Sequence, residues 1–221
     1  MTIQERLFAL RDEKYAVFTA KLIPNIDPDH IIGVRAPQVA FLAKELRGTP
    51  EAAVFISALP HRYLDENGLH AALVNHIKDY ATALSEVERL LPHIDNWATC
   101  DTLSPTCFAR HTDELLPHVR RWMASSHEYT CRFGIGMLMR HYLEPKSFRE
   151  EFLQWVATID HEEYYVRMMQ AWYFATALAK QWDATLPIID NLAPWVRRKT
   201  IQKACESFRV PQAHKTMLRT L

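Results

Sequence analysis

The sequence predicts an all-α protein, an α-solenoid of stacked helix pairs forming one domain over residues 1–221. Apolar residues recur at helical spacing in one segment after another, and the segments are separated by short borders. Only five glycines stand against twelve prolines, and most prolines lie where an apolar periodic segment starts or stops, as in long helices joined by short turns. A weak internal echo adds to this: Leu59-Pro60-His61, Leu91-Pro92-His93, Leu116-Pro117-His118 and Leu186-Pro187. Helix pairs recurring at roughly 35 to 45 residues mark a solenoid, in which no pair buries its apolar face without its neighbours. Coincidence also fits the echo, because proline is favoured at helix starts. With 48% hydrophobic residues the chain has ample material for a continuous core.

Thr2 and Glu5 are spaced as a capping box, so a first helix starts there and runs to about Ile23. Pro24, Asp27-Pro28 and Gly33 form a turn, and Pro37 opens a second helix through Val39, Leu42 and Leu46 that ends near Gly48. After Thr49-Pro50 the periodicity returns in Ala53, Val54 and Ile56, then after an Asn67-Gly68 turn in Leu69, Leu73 and Ile77. A third pair starts at Ser85 and carries Val87, Leu90, Ile94 and Trp97, and a fourth covers 113–123 and 128–142. Further helices are expected over 148–159, 162–181 and 185–192, with a last, basic helix from Pro194.

No apolar stretch of about eighteen residues occurs, so no membrane span is expected. The N-terminus lacks the basic-then-apolar order of a signal peptide, which makes the cytoplasm the expected location. Cys100, Cys107, Cys131 and Cys205 stand at irregular spacings without a C-x-x-C pair, and read as buried thiols rather than a zinc knuckle or a disulfide framework. Formal net charge is zero, which argues against coating nucleic acid by bulk charge. Positive charge is nevertheless concentrated at one end: over residues 195–221, Arg197, Arg198, Lys199, Lys203, Arg209, Lys215 and Arg219 face only Glu206. A solvated basic helix end and a phosphate-contacting surface both fit that cluster.

Familiar catalytic signatures are absent. His127-Glu128 and His161-Glu162 begin like a zinc-protease helix, but no histidine follows at the required spacing. Gly134-Ile135-Gly136 lies inside an apolar helical run instead of following a strand, which excludes a dinucleotide loop. What remains is aromatic and charged. Trp97 and Asp101 are four apart, so a helix places an indole and a carboxylate on one face. Arg132 and Arg167 open the following helices, and Trp172 lies shortly after Arg167. Singly, each of these residues also reads as core packing or an ordinary ion pair.

Taken in order, Trp97-x-x-x-Asp101, Arg132 ahead of an apolar helix and Trp172 after Val166-Arg167 resemble the AlkD-like DNA alkylation repair family. Gly33-Val34-Arg35-Ala36-Pro37 and Ser207-Phe208-Arg209 resemble it too, so the likeness spans nearly the whole chain. The resemblance implies a superhelix of HEAT-like repeats that holds double-stranded DNA on a positively charged face. It further implies hydrolysis of the N-glycosidic bond of N3- or N7-alkylated purines, without a metal or nucleotide cofactor and without a deep base pocket; a monomer is the default expectation. Under it Asp101 is the catalytic carboxylate, Trp97 and Trp172 are aromatic walls, and Arg132 is a phosphate clamp. Tyr15 and Arg167 are further DNA contacts, joined by Arg197, Arg198, Lys199 and Lys203 of the basic cluster. One departure stands out: Ala175 occupies a position where the well-known glycosylase members carry a basic residue. Three readings stay open on sequence alone: a glycosylase, a noncatalytic relative that binds unusual DNA structure, and a helical-repeat scaffold for protein partners.

Overall fold

The computed structural model describes residues 1–221 and contains fourteen α-helices, three short 3-10 turns and no strand. The chain separates into two compact units, residues 1–111 and 112–221. No helix is long and apolar enough to cross a membrane.

The first unit comprises α1 (Ile3–Ala9), α2 (Glu13–Leu22), α3 (Ala36–Leu46), α4 (Pro50–Ser57), α5 (Leu64–Val74), α6 (Tyr80–Leu90) and α7 (Trp97–Thr102). The Thr2–Glu5 box forms as the spacing predicts, with Thr2 Oγ1 accepting from Glu5 N at 3.1 Å and Glu5 accepting from Thr2 N at 2.8 Å. The single helix expected to reach Ile23 is instead two. Asp12 takes the Tyr15 backbone N–H at 3.0 Å and starts α2 afresh, a competition for backbone donors in which aspartate excels.

Asn67-Gly68, expected as a turn, lies inside α5. The Glu66 carboxylate accepts from the N–H groups of Arg62 (3.2 Å) and Tyr63 (3.0 Å), so the helix starts at Leu64. Likewise α6 starts at Tyr80, capped by Asp79 on Thr82 N at 2.8 Å, well before Ser85, and it stops at Leu90. Packed against α1, α3, α4, α6 and α7, α5 is the centre of this unit, and most of its residues are buried.

The second unit comprises α8 (Thr112–Met123), α9 (Glu128–His141), α10 (Glu151–Ala157), α11 (Tyr164–Lys180), α12 (Trp182–Ile189), α13 (Pro194–Glu206) and α14 (Gln212–Leu218). Helices α8, α9, α11 and α13 pack in that order, and α11 also meets α10 and α12. Phe133, Phe152 and Phe174 are among the fully buried side chains, each contributing roughly 1.5–3 kcal/mol of transfer free energy. Gly134 permits the close approach of α8 and α9: a Cβ there would lie 2.6 Å from the Met123 backbone nitrogen. The Gly-Ile-Gly run is thus a packing device.

The Leu-Pro echo does not mark one structural position. Leu59-Pro60 lies in the loop after α4, Leu91-Pro92 opens a 3-10 turn, and Pro117 and Pro187 sit inside α8 and α12. Repetition resides in the helix packing, not in that tripeptide. Of the four free cysteines, Cys100, Cys107 and Cys131 are buried and Cys205 is half-buried.

Each unit also holds an unusual histidine, fully buried in the first and partly buried in the second. His70 on α5 is fully buried, with His61 Nε2 2.9 Å from its Nδ1; burial first, then nearby His61, Arg89 and His93, pushes its pKa down to about 3. His141 at the end of α9 is pushed down to about 4 by burial and Arg140. Both rings are neutral in the fold yet take up a proton near pH 6.5 when unfolded. Their stabilisation is therefore full above pH 6.5 and is lost as pH falls from there toward the folded values. Between pH 7.5 and 5 each unit should lose roughly 2 kcal/mol from its ring. Urea melts across that range test this; His70→Gln and His141→Gln should flatten the dependence, and a pH-independent midpoint in the native chain would contradict it.

Candidate functional site

In the first unit, α7 is built by its cap. The buried Asn96 accepts from Thr99 N at 2.8 Å, which sets Trp97 on the first turn and Asp101 one turn later on the same face. Asn25 anchors the entry by donating to Asp95 O at 2.7 Å. Trp97 is half-buried against Ile23, Ile31 and Leu64, and its indole N–H donates to Leu22 O at 3.2 Å. That carbonyl belongs to the last residue of α2, so Trp97 closes an orphan acceptor at a helix end. Asp101 is half-buried.

Tyr15, on the first turn of α2, lies under the Arg35 guanidinium, 5.0 Å from its ring centroid. Arg35 in turn donates to Asp12 Oδ2 from Nε at 2.9 Å and from a terminal nitrogen at 2.8 Å. The Tyr15 backbone N–H and then Arg35 hold the Asp12 carboxyl below its ordinary pKa.

Sequence reasoning missed Asp65. It is buried on α5 and accepts three backbone N–H groups: Ile32 at 2.7 Å, Gly33 at 3.2 Å and Val34 at 2.7 Å. Burial pushes its carboxyl upward against the pull of those three donors. The loop it holds includes Gly33, at φ +90°, where a Cβ would come within 2.6 Å of Asp12 O. Asp65 thereby fixes the segment from which Arg35 reaches Asp12 and Tyr15.

In the second unit, Arg132 on α9 is buried and donates to Tyr165 O at 2.8 Å, while Glu128 accepts from Tyr165 N at 3.1 Å. These two residues hold both backbone polar groups of Tyr165 at the start of α11. The Arg167 Nε donates to His161 O at 2.9 Å, and the side chain is half-buried. Trp172, midway along α11, is 40% exposed. It lines a groove of about 350 Å³ with Ala175 and Thr176 of α11, Lys203 and Glu206 of α13, and Arg209 beyond. Phe208 next to Arg209 is fully exposed.

The basic cluster divides between two faces of α13. Lys199 and Lys203 are one turn apart on one face, and Lys199 donates to Gln202 at 2.9 Å. Arg197 is tied down by Asp190 at 2.7 Å and by Leu221 O at 2.8 Å, beside the exposed Arg198 and Arg219 in a separate hollow. A larger cavity of this unit, about 710 Å³, lies elsewhere, and its lining sets Asp160, Glu162 and Glu163 against Arg120 and His161, a poorer match for an anionic polymer. The smaller groove at Trp172, with two cations against one acid, suits such a ligand better.

No curated protein matches the chain. A family model described as DNA alkylation repair enzyme matches residues 3–208, nearly the whole length. The chain therefore belongs to the DNA alkylation repair enzyme family, and its role lies in DNA repair.

Proposed function

We propose that this chain is a DNA glycosylase that hydrolyses the N-glycosidic bond of N3- or N7-alkylated purines in duplex DNA. It works as a cytoplasmic monomer without a metal or nucleotide cofactor. The observation that carries the reading is Trp172: an indole left 40% exposed in a groove flanked by Lys203 and Arg209. An aromatic face attracts a cationic lesion, and the flanking cations attract the phosphates on either side.

An alkylated purine already carries positive charge. When the C1′–N bond breaks, its electron pair leaves with the base and neutralises it, while positive charge develops on the sugar. Asp101 stabilises that oxocarbenium-like sugar by charge and orients the water that adds at C1′, whose proton is released. Trp97, one turn before Asp101 in the first unit, and Trp172 in the second each offer an indole face for cation–π and C–H contacts worth roughly 0.5–2 kcal/mol. Arg132 and Arg167, both donating to backbone carbonyls, position the start of α11. Lys203 and Arg209 supply positive charge in the groove that Ala175 lines.

Incubation with methylated duplex DNA, followed by chromatography of released 3-methyladenine and 7-methylguanine, tests the reading against an enzyme-free control. A second reading, a noncatalytic binder of unusual DNA structure, draws support from Trp97, whose indole N–H is spent on Leu22. It predicts salt-sensitive duplex binding with no free base. The double variant Lys203→Ala/Arg209→Ala should reduce the salt dependence of duplex binding by about one to two phosphate contacts, through lost counterion release. Arg197→Ala, whose charge is already paired, should leave that slope nearly unchanged; equal effects of the two changes would place the DNA elsewhere.

A further inference from the structure

Phe208 is the most exposed large apolar side chain of the protein, and no step of the proposed reaction uses it. It stands in a four-residue turn between α13 and α14, made of Ser207, Phe208, Arg209 and Val210. The turn is tied down at both ends. Ser207 N–H donates to Lys203 O at 3.1 Å, and Ser207 Oγ accepts from Arg209 N at 3.2 Å. Val210 N–H donates back to Ser207 O at 3.4 Å, the Val210 side chain is buried, and Pro211 caps α14 directly after it. Phe208 and Arg209 therefore form a fixed tip that projects both side chains into solvent. Such tips ordinarily carry Gly, Pro, Asn, Asp or Ser, and a phenyl ring there gains nothing from the folded chain by itself.

The surroundings of the ring state what covers it. Ser207 and Arg209, its two chain neighbours, both line the groove of Trp172, where Lys203 and Arg209 outnumber Glu206. Positive charge there selects a polyanion. A polyanion that also offers flat apolar faces to an aromatic ring is a nucleic acid, whose bases stack on such rings. In an intact duplex those faces are already covered by neighbouring bases. Opening a step costs least where a base is damaged, mismatched or missing. We propose that Phe208 is a wedge that enters duplex DNA at a weakened base step and stacks on the base it uncovers, while Lys203 and Arg209 hold the flanking phosphates. The wedge makes the protein prefer distorted duplex to intact duplex. This inference rests on the reading that duplex DNA lies along the Trp172 groove, and it does not require hydrolysis.

The test uses a duplex that carries a stable abasic analogue, tetrahydrofuran, with 2-aminopurine as the adjoining base, beside the same duplex without the abasic site. The native chain should raise 2-aminopurine fluorescence in the abasic duplex and bind it more tightly than the intact one. Phe208→Ala should abolish the rise and weaken abasic-duplex binding about tenfold, the loss of one stacked base, while intact-duplex affinity falls less than about twofold. Phe208→Trp keeps an aromatic face and should retain both the rise and the preference. Because the ring is fully exposed, both variants should melt with the native chain. The inference is overturned by a native chain that leaves the fluorescence unchanged, by equal loss on both duplexes, or by Phe208→Trp behaving like Phe208→Ala. Native-like binding of the abasic duplex by Phe208→Ala would also overturn it. Base release from methylated duplex, measured on the same preparations, separates the two ideas. A fluorescence rise without release leaves the wedge standing and removes the glycosylase, and Asp101-dependent release without a rise does the reverse.

Discussion

Asp65→Ala is expected to destabilise the first unit by roughly 3–5 kcal/mol, because it strands three buried backbone donors at once. In the native fold Ile32, Gly33 and Val34 have no other acceptor of this quality, and the loop they form packs directly on the start of α2. The loss should extend to Tyr15, since Arg35 leaves that loop to bridge Asp12 and cover its ring. Asp65→Asn keeps an acceptor oxygen and should cost less than half as much. Urea unfolding of the two variants beside the native chain measures both. If Asp65→Ala melted within about 1 kcal/mol of native, the loop would have to be held by something other than this carboxylate.

Asp101→Asn is expected to lower the single-turnover rate of alkylpurine release by about 10²-fold or more, with little change in stability. The substitution keeps size and one acceptor oxygen, turns the other oxygen into an NH2 donor, and removes the negative charge that offsets the developing sugar cation. Binding of methylated duplex should be unchanged or tighter, because one negative charge facing the phosphates is gone. Loss of binding together with rate would instead make Asp101 a structural residue of α7. That α7 has only six residues makes the stability control indispensable.

The helix boundaries readable from sequence were those set by local chemistry. Thr2 with Glu5, Thr49 before Pro50, and Pro194 at the head of α13 each settle a helix start within one turn. Misread boundaries have contributions from farther away. Asn67-Gly68 stays helical because Asp65 is gripped by a loop about thirty residues earlier and Glu66 also takes Gln4 at 3.2 Å, contacts that no local window contains. The break after α1 was nearer to hand, since Asp12 with Tyr15 is an ordinary cap that an unbroken apolar pattern obscured.

The same division applies to the site. Trp97 and Asp101 share a face because helical spacing requires it, and that was legible. The burial of Arg132 was not, because its partner is a backbone carbonyl on another helix. Nor was the pairing of Arg197 with Asp190, or the gathering of Lys203 and Arg209 around Trp172. Charge counting finds a basic segment, but only the fold decides which of its residues share a face.

Counting the products of a single turnover decides whether this protein excises bases. Methylated duplex, held at a concentration below that of the chain, is converted in a single turnover, and free alkylpurines and abasic sites are measured in the same samples. The glycosylase account predicts that both appear together in equal amounts and that Asp101→Asn suppresses both. Salt-dependent duplex binding with neither product above the enzyme-free control would contradict it and establish a DNA-binding protein without base-excising chemistry.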